Sequence, residues 1–244
     1  MRNALISLLL LACATMNGQI INATPTIIGA LPEDEEPTTS REVVWYLYEN
    51  NNQDSSPNDD DFSGTPYAYS AVTYYEGSYS VQNNGSNEIY TPDLGSTDSI
   101  TICAWIYATS DASNDQRSWE NDPATGNGLY MRLGMLGNGD LYLYADNTQI
   151  WAAANEFPLN TWAHLAITYT TTTGAGQVYL DGDIVGSQQT TDDGAYLDGS
   201  WYMMDDPATG HPLYGYMDDF RVYHEILPES DVEWIIANPG DALE

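Results

Sequence analysis

The sequence predicts an all-β fold, an antiparallel β-sandwich closed by one short C-terminal helix. Three observations carry this. Among 244 residues stand 19 Tyr, 7 Trp, 20 Gly and 12 Pro, a mix that favours pleated strands joined by tight turns. From Val43 onward, short apolar-alternating runs recur between clusters of Gly, Asn, Asp and Pro. No helical pattern of about 10 to 15 residues lies between them, so the crossovers of a parallel sheet have nothing to form from.

The elements follow in order. Arg2 precedes an apolar run from Ala4 to Ala12, too short to span a bilayer and suited to the core of an export signal. Residues 1–14 read as that signal. Ala12-Cys13-Ala14 fits ordinary cleavage, whereas Leu10-Leu11-Ala12-Cys13 resembles a lipobox that ends the signal before Cys13 and acylates it. Either outcome places the mature chain outside the cytoplasm and leaves Cys103 with no disulfide partner. Residues 15–42, rich in Thr, Pro and acids, read as a linker.

Strands are predicted at Val43–Tyr48, Tyr67–Tyr75, Ile100–Tyr107, Leu129–Met135, Leu141–Tyr144, Trp162–Thr170, Gln177–Leu180 and Tyr216–Tyr223. Asp181-Gly182 is a hairpin signal, because Gly tolerates the positive φ of a primed turn. Pro228 at a first helical position, with Glu229 and Asp231 behind it, starts a helix that stops near Asn238-Pro239-Gly240. Residues 239–244 remain as a tail.

Charge narrows the function classes. Acids outnumber bases 36 to 5, lysine is absent, and the net charge is −31 on a chain that is 42% apolar. That apolar fraction is too high for simple disorder. Nucleic acid is excluded for want of a basic surface, and a membrane is reached only through a lipid anchor at Cys13.

Four segments carry a family resemblance. They are Trp162-Ala-His164-Leu-Ala-Ile-Thr-Tyr169, Val178-Tyr-Leu-Asp181-Gly182-Asp-Ile-Val-Gly186, Tyr214-Gly215-Tyr-Met-Asp218-Asp219-Phe-Arg221-Val-Tyr223, and Leu227-Pro-Glu-Ser-Asp231-Val. In this order they resemble the C-terminal half of laminin G-like domains of the concanavalin A-like lectin/glucanase superfamily. Ser99–Tyr107 is similar to the family's central strand, and Asp54 with Gly64 to its early aspartate-containing loop. The resemblance covers residues 43–238. It implies an antiparallel jelly-roll sandwich, frequently with a structural calcium ion, that binds carbohydrate or protein outside cells.

Calcium needs converging oxygen ligands, and two segments can supply them, Asp54–Asp61 and Asp218-Asp219. In a strand Asp218 and Asp219 face opposite sides. The resemblance favours Asp218 with Asp54, and Asp60 completes the expected metal set; the bland alternative is a solvated acidic loop, with Asp219 paired to Arg221. A retaining glucanase would show acids at alternate strand positions, and no strand here does. No catalytic residue is therefore expected, and His164 reads as a packed, hydrogen-bonded structural residue.

An internal echo stands apart. Ser118-Trp119 followed by Asp122-Pro-Ala-Thr-Gly126 returns as Ser200-Trp201 followed by Asp206-Pro-Ala-Thr-Gly210. Shared turn chemistry explains it; alternatively, two loops lie side by side and present Trp119, Trp201 and Tyr202 to a sugar, with Asp122 and Asp206 accepting hydroxyls. Trp45, Trp105, Trp162 and Trp234, inside apolar patterns, read as core.

The sequence thus supports a secreted or surface-anchored, non-enzymatic, carbohydrate-binding module with structural calcium. The alternative is an adhesive extracellular protein engaging other proteins or copies of itself, and a polysaccharide hydrolase or lyase ranks third.

Overall fold

The computed structural model describes residues 41–66, 68–83, 88–109, 116–121, 128–133, 139–154, 156–204 and 212–243, with the backbone alone at 131–133. The signal, Cys13 and the linker up to residue 40 lie outside them. In chain order the strands begin with β1 (Val44–Tyr46), β2 (Ser63–Gly64), β3 (Ala68–Ser70), β4 (Ser80–Asn83), β5 (Ile89–Tyr90) and β6 (Ser99–Ala108). Next come β7 (Gln116–Asn121), β8 (Leu129–Leu133), β9 (Leu141–Ala145), β10 (Thr148–Ala153) and β11 (Trp162–Thr170). The last are β12 (Ala175–Leu180), β13 (Asp183–Ile184), β14 (Ser187–Gln188), β15 (Trp201–Met203) and β16 (Gly215–Tyr223), before helix α1 (Glu229–Ala237).

They form the predicted sandwich of two antiparallel eight-stranded sheets. The first runs β13-β12-β11-β6-β16-β4-β3, with β1 also on β16; the second runs β14-β10-β9-β8-β7-β15-β5-β2. The main core lies between them. A smaller cluster joins Cys103, Ala166, Tyr179 and Tyr223, on the outer face of the first sheet, to Val232 and Ile235 of α1. The central strands of that sheet are therefore covered on both sides, which is why β6 and β11 are almost continuously buried. In the second sheet β9 alternates buried and half-buried residues, as one open face requires.

The turn at Asp181 (φ 51°) and Gly182 (φ 92°) has the backbone predicted for it. Asp146 (φ 45°) and Asn147 (φ 61°) build the same kind of turn between β9 and β10, without the glycine that would have announced it. Pro228 stands just before α1 in extended backbone (φ −66°, ψ 156°), one position earlier than predicted.

The domain reaches past the predicted limits of 43 and 238. Glu42 and Leu243 are buried, and Arg41 N donates to Leu243 O (3.3 Å). A buried charge cluster binds these ends. Arg221, inaccessible to solvent, donates to Asp219 and to Glu42 Oε1 (3.3 Å) and to Asp241 O (2.7 Å), and its guanidinium lies 4.5 Å from the Trp45 ring centre.

Candidate functional site

The outer face of the second sheet carries one row of side chains across its strands. The registers Tyr90↔Tyr202, Tyr202↔Glu120, Glu120↔Tyr130, Tyr130↔Tyr144 and Tyr144↔Gln149 place these residues side by side on β5, β15, β7, β8, β9 and β10. Five steps of about 4.8 Å make the row roughly 24 Å long. The neighbouring residue of each strand faces the other way. Ile89, Met203, Trp119 and Leu143 are buried in the core, so the alternation of the pleat delivers tyrosines to one side and the core to the other.

Two aromatic pairs flank a charged centre. Tyr90 and Tyr202 lie 5.2 Å apart at 37°; Tyr130 and Tyr144 stack at 4.8 Å and 6°. Between them Arg117 and Glu120 form an ion pair, and the Arg117 guanidinium sits 4.3 Å from the Tyr130 ring centre. The sandwiched Tyr130 is only 8% exposed, whereas Tyr90, Tyr202 and Tyr144 are half-buried. The phenol of Tyr144 donates to Gln149 Oε1 (3.0 Å) and that of Tyr142 to Asp140 Oδ2 (3.0 Å), which fixes their orientations.

Of the residues predicted to bind ligand, Tyr202 lies on this row. Trp119 (0% exposed) and Trp201 (1%) do not: both point into the core from β7 and β15. The strands that hold them are indeed neighbours, with Met203↔Trp119 and Trp201↔Asn121, but they are antiparallel. The C-terminal ends of β7 and β15 therefore lie at opposite ends of the pair. Asp122 and Asp206 lie outside the described residues. The polar neighbours of each tryptophan suggested a loop, and the strand period was hidden because each run is so short.

The tryptophans predicted for the core divide. Trp45 and Trp105 are buried, Trp162 is half-buried, and Trp234 is 36% exposed on α1. Tyr107, Trp162 and Tyr216 line the outer face of the first sheet, but they pack edge to face on one another at 5.7 and 5.8 Å. His164 is fully buried, as predicted, but the hydrogen bonding expected of it is not there: among the described residues neither ring nitrogen has a partner.

The expected calcium set is not assembled. Asp54 Oδ1 accepts from Trp45 N and Ser56 N, and its Oδ2 from Ser56 Oγ and Asp60 N. Four protein donors thus fill the carboxylate and shape the 54–61 loop. Asp60 has its carboxyl pushed up by burial and then by Asp54 and Asp59. Asp218 belongs elsewhere: its Oδ2 accepts from Tyr75 N and Glu76 N and its Oδ1 from Asp219 N. Nor do Asp218 and Asp219 face opposite sides, because a bulge between Asp218 and Arg221, with Asp219 at φ 49°, adds one residue to the strand. Among the described residues no three His, Cys, Asp or Glu come together. Among the described residues, then, Asp54, Asp60 and Asp218 do not converge on one ion that takes roughly six oxygens or more.

Comparison with known proteins agrees with this architecture. The Laminin_G_3 profile, described as the concanavalin A-like lectin/glucanases superfamily, matches residues 81–233. No protein of curated function matches the sequence. Among solved structures, domain 4 of AbnA, a GH43 extracellular arabinanase from Geobacillus stearothermophilus in complex with arabinotriose, is 19% identical with a TM-score of 0.62, over 82% of this chain and 100% of that one. The receptor binding domain of botulinum neurotoxin C/D mosaic serotype is 13% identical (TM-score 0.63; 82% and 51% covered). The binding domain of Paraclostridial Mosquitocidal Protein 1 is 15% identical (TM-score 0.61; 81% and 52%). This chain thus matches about half the length of the two toxin domains.

Proposed function

Because the chain belongs to the concanavalin A-like lectin/glucanase superfamily, we propose that it is an extracellular, non-enzymatic module that binds a glycan in extended form across its second sheet. The observation that carries this is the cross-strand row from Tyr90 to Gln149. Apolar CH patches of sugar rings stack on phenol faces, and Glu120, Gln149 and the phenol hydroxyls offer hydrogen bonds along the same line. The chain charge of −31 disfavours polyanionic glycans, so a neutral polysaccharide fits best. The arabinotriose bound to the arabinanase domain supports carbohydrate as the ligand class, and the extracellular setting of that arabinanase supports one for this chain. A binding role is favoured over hydrolysis because Glu120, the one acid of the row, is already paired with Arg117.

The test is affinity electrophoresis and isothermal titration against a panel of neutral and anionic polysaccharides. At least one neutral polymer should bind, and Tyr202→Ala and Tyr144→Ala should each weaken it about tenfold, a loss of about 1.4 kcal/mol. Failure of the whole panel, or variants that bind like the parent, would overturn the reading. Capture of a surface protein without any glycan would put the adhesive alternative in its place.

A further inference from the structure

Helix α1 carries a concavity of its own. Ser230, Asp231 and Trp234 stand three and four positions apart, hence on one helix face, and residues 241–243 form the opposite wall of a pocket of about 620 Å³. Sites for small ligands span about 300 to 1,000 Å³. Val232 and Ile235, which face the sheet from this helix, are fully buried, whereas Trp234 stands on the pocket side and is 36% exposed. Leaving an indole in water forgoes the free energy of burying it, and Trp recurs where a ring face meets a ligand.

The opposite wall is fixed before any ligand arrives. Leu243 N donates to Glu42 Oε1 (2.9 Å), Asp241 O accepts from Arg221 Nη1 (2.7 Å), and Asp241 N donates to Asn238 O (3.2 Å). Across the pocket, Asp231 Oδ2 is held by Arg41 Nη1 at 2.6 Å. An exposed indole thus stands in the same pocket as Ser230, Asp231 and Asp241, opposite a wall that is held in place.

The geometry points to a second binding site, for a single neutral sugar ring, in the pocket between helix α1 and residues 241–243. The CH face of the ring stacks on Trp234, and its hydroxyls donate to Asp231 and Asp241. Charge sets the class: Arg41 is already paired with Asp231 and Glu225, so uronates and sulfated sugars meet unbalanced acids. This inference does not rest on the reading of the second sheet. Helix α1 covers the first sheet, so the two sites lie on opposite sides of the sandwich and either can fail alone.

The experiment uses protein labelled with ¹⁵N at the indoles of its 7 tryptophans. Trp234→Phe, which keeps a ring, identifies the Trp234 signal by its loss. Cellotriose, xylotriose, arabinotriose and mannotriose are titrated beside trigalacturonate. At least one neutral trisaccharide should shift the Trp234 signal saturably, trigalacturonate should act at least tenfold more weakly, and the shift should persist in Tyr202→Ala. A Trp234 signal unmoved by every sugar overturns the inference, as does one moved equally by trigalacturonate or lost in Tyr202→Ala. Binding with Trp234 silent sinks this site and spares the sheet; a Trp234 shift with no response to Tyr202→Ala or Tyr144→Ala in polymer binding does the reverse.

Discussion

Arg221 grips Asp219, two positions earlier on the same strand, through two parallel hydrogen bonds of 2.8 and 2.9 Å. Both side chains are shut off from water, and Trp45 Nε1 adds a third donor to the same carboxylate at 2.5 Å. Removing the guanidinium would leave Asp219 and Glu42 as buried charges without their counter-ion. Arg221→Ala should therefore destabilise by about 3–5 kcal/mol in urea unfolding. Arg221→Lys should recover only part of this, since an ammonium cannot reproduce the two-pronged contact. A loss below about 1 kcal/mol for Arg221→Ala would contradict the arrangement.

Asp218 predicts an alkaline weakness. Burial pushes its carboxyl up from 3.8 to about 8, against the pull of the Glu76 and Tyr75 N–H groups and with a smaller push from Asp219. A folded-state value above the unfolded one means that the native chain holds the extra proton between them. The stabilisation is complete below about pH 4 and is lost as pH rises through 8. Asp218→Asn should flatten melting temperature against pH across that window, and parallel curves for the two proteins would refute the assignment. Calcium should leave the melting temperature unmoved; a rise that Asp54→Ala abolishes would restore the early loop as a metal site.

His164 predicts the opposite slope. Burial, reinforced by Arg221, lowers its ring to about 3 from 6.5. The unfolded chain then takes up the proton first, so stability is full above about pH 6.5 and falls as pH drops toward 3. The ring meets Trp105 edge-on at 5.3 Å, and its nitrogens make no hydrogen bond among the described residues. His164→Phe should raise the melting temperature at pH 5 and converge on the parent above pH 7. An equal effect at both pH values would show that packing, not protonation, decides.

Adjacent residues on β15 should behave in opposite ways. Trp201→Ala opens the core and should cost about 3–5 kcal/mol in unfolding free energy. Tyr202→Ala, on the half-buried face, should change stability far less and instead impair glycan binding. Should Tyr202→Ala unfold the chain as readily as Trp201→Ala, the proposed face would be structural.

How far the sequence could be read follows from how each signal is encoded. The long strands β6, β11 and β16 were visible because runs of nine or ten residues rich in apolar and aromatic side chains stand out from the turn clusters around them. β4, β7, β10 and β15 passed unseen: three to six residues such as Gln-Arg-Ser-Trp-Glu-Asn show too little alternation to separate a strand from a loop. The same blindness turned Trp119 and Trp201 outward in the reading, one residue out of phase with Glu120 and Tyr202. Of the row from Tyr90 to Gln149 only Tyr202 was legible, because its members come from six separated strands and meet only through pairing registers. Asp54 and Asp218 did stand out as special, correctly, but as acceptors for backbone and hydroxyl donors: a carboxylate that shapes a loop and one that binds a cation look alike in a sequence.

The bonds linking Arg41, Glu42 and Leu243 have a mechanical meaning. Arg41 and Leu243 are neighbours in space, so the two ends of the described sandwich lie side by side. Spliced into a surface turn of a carrier protein through Arg41 and Leu243, it should fold without forcing that turn apart.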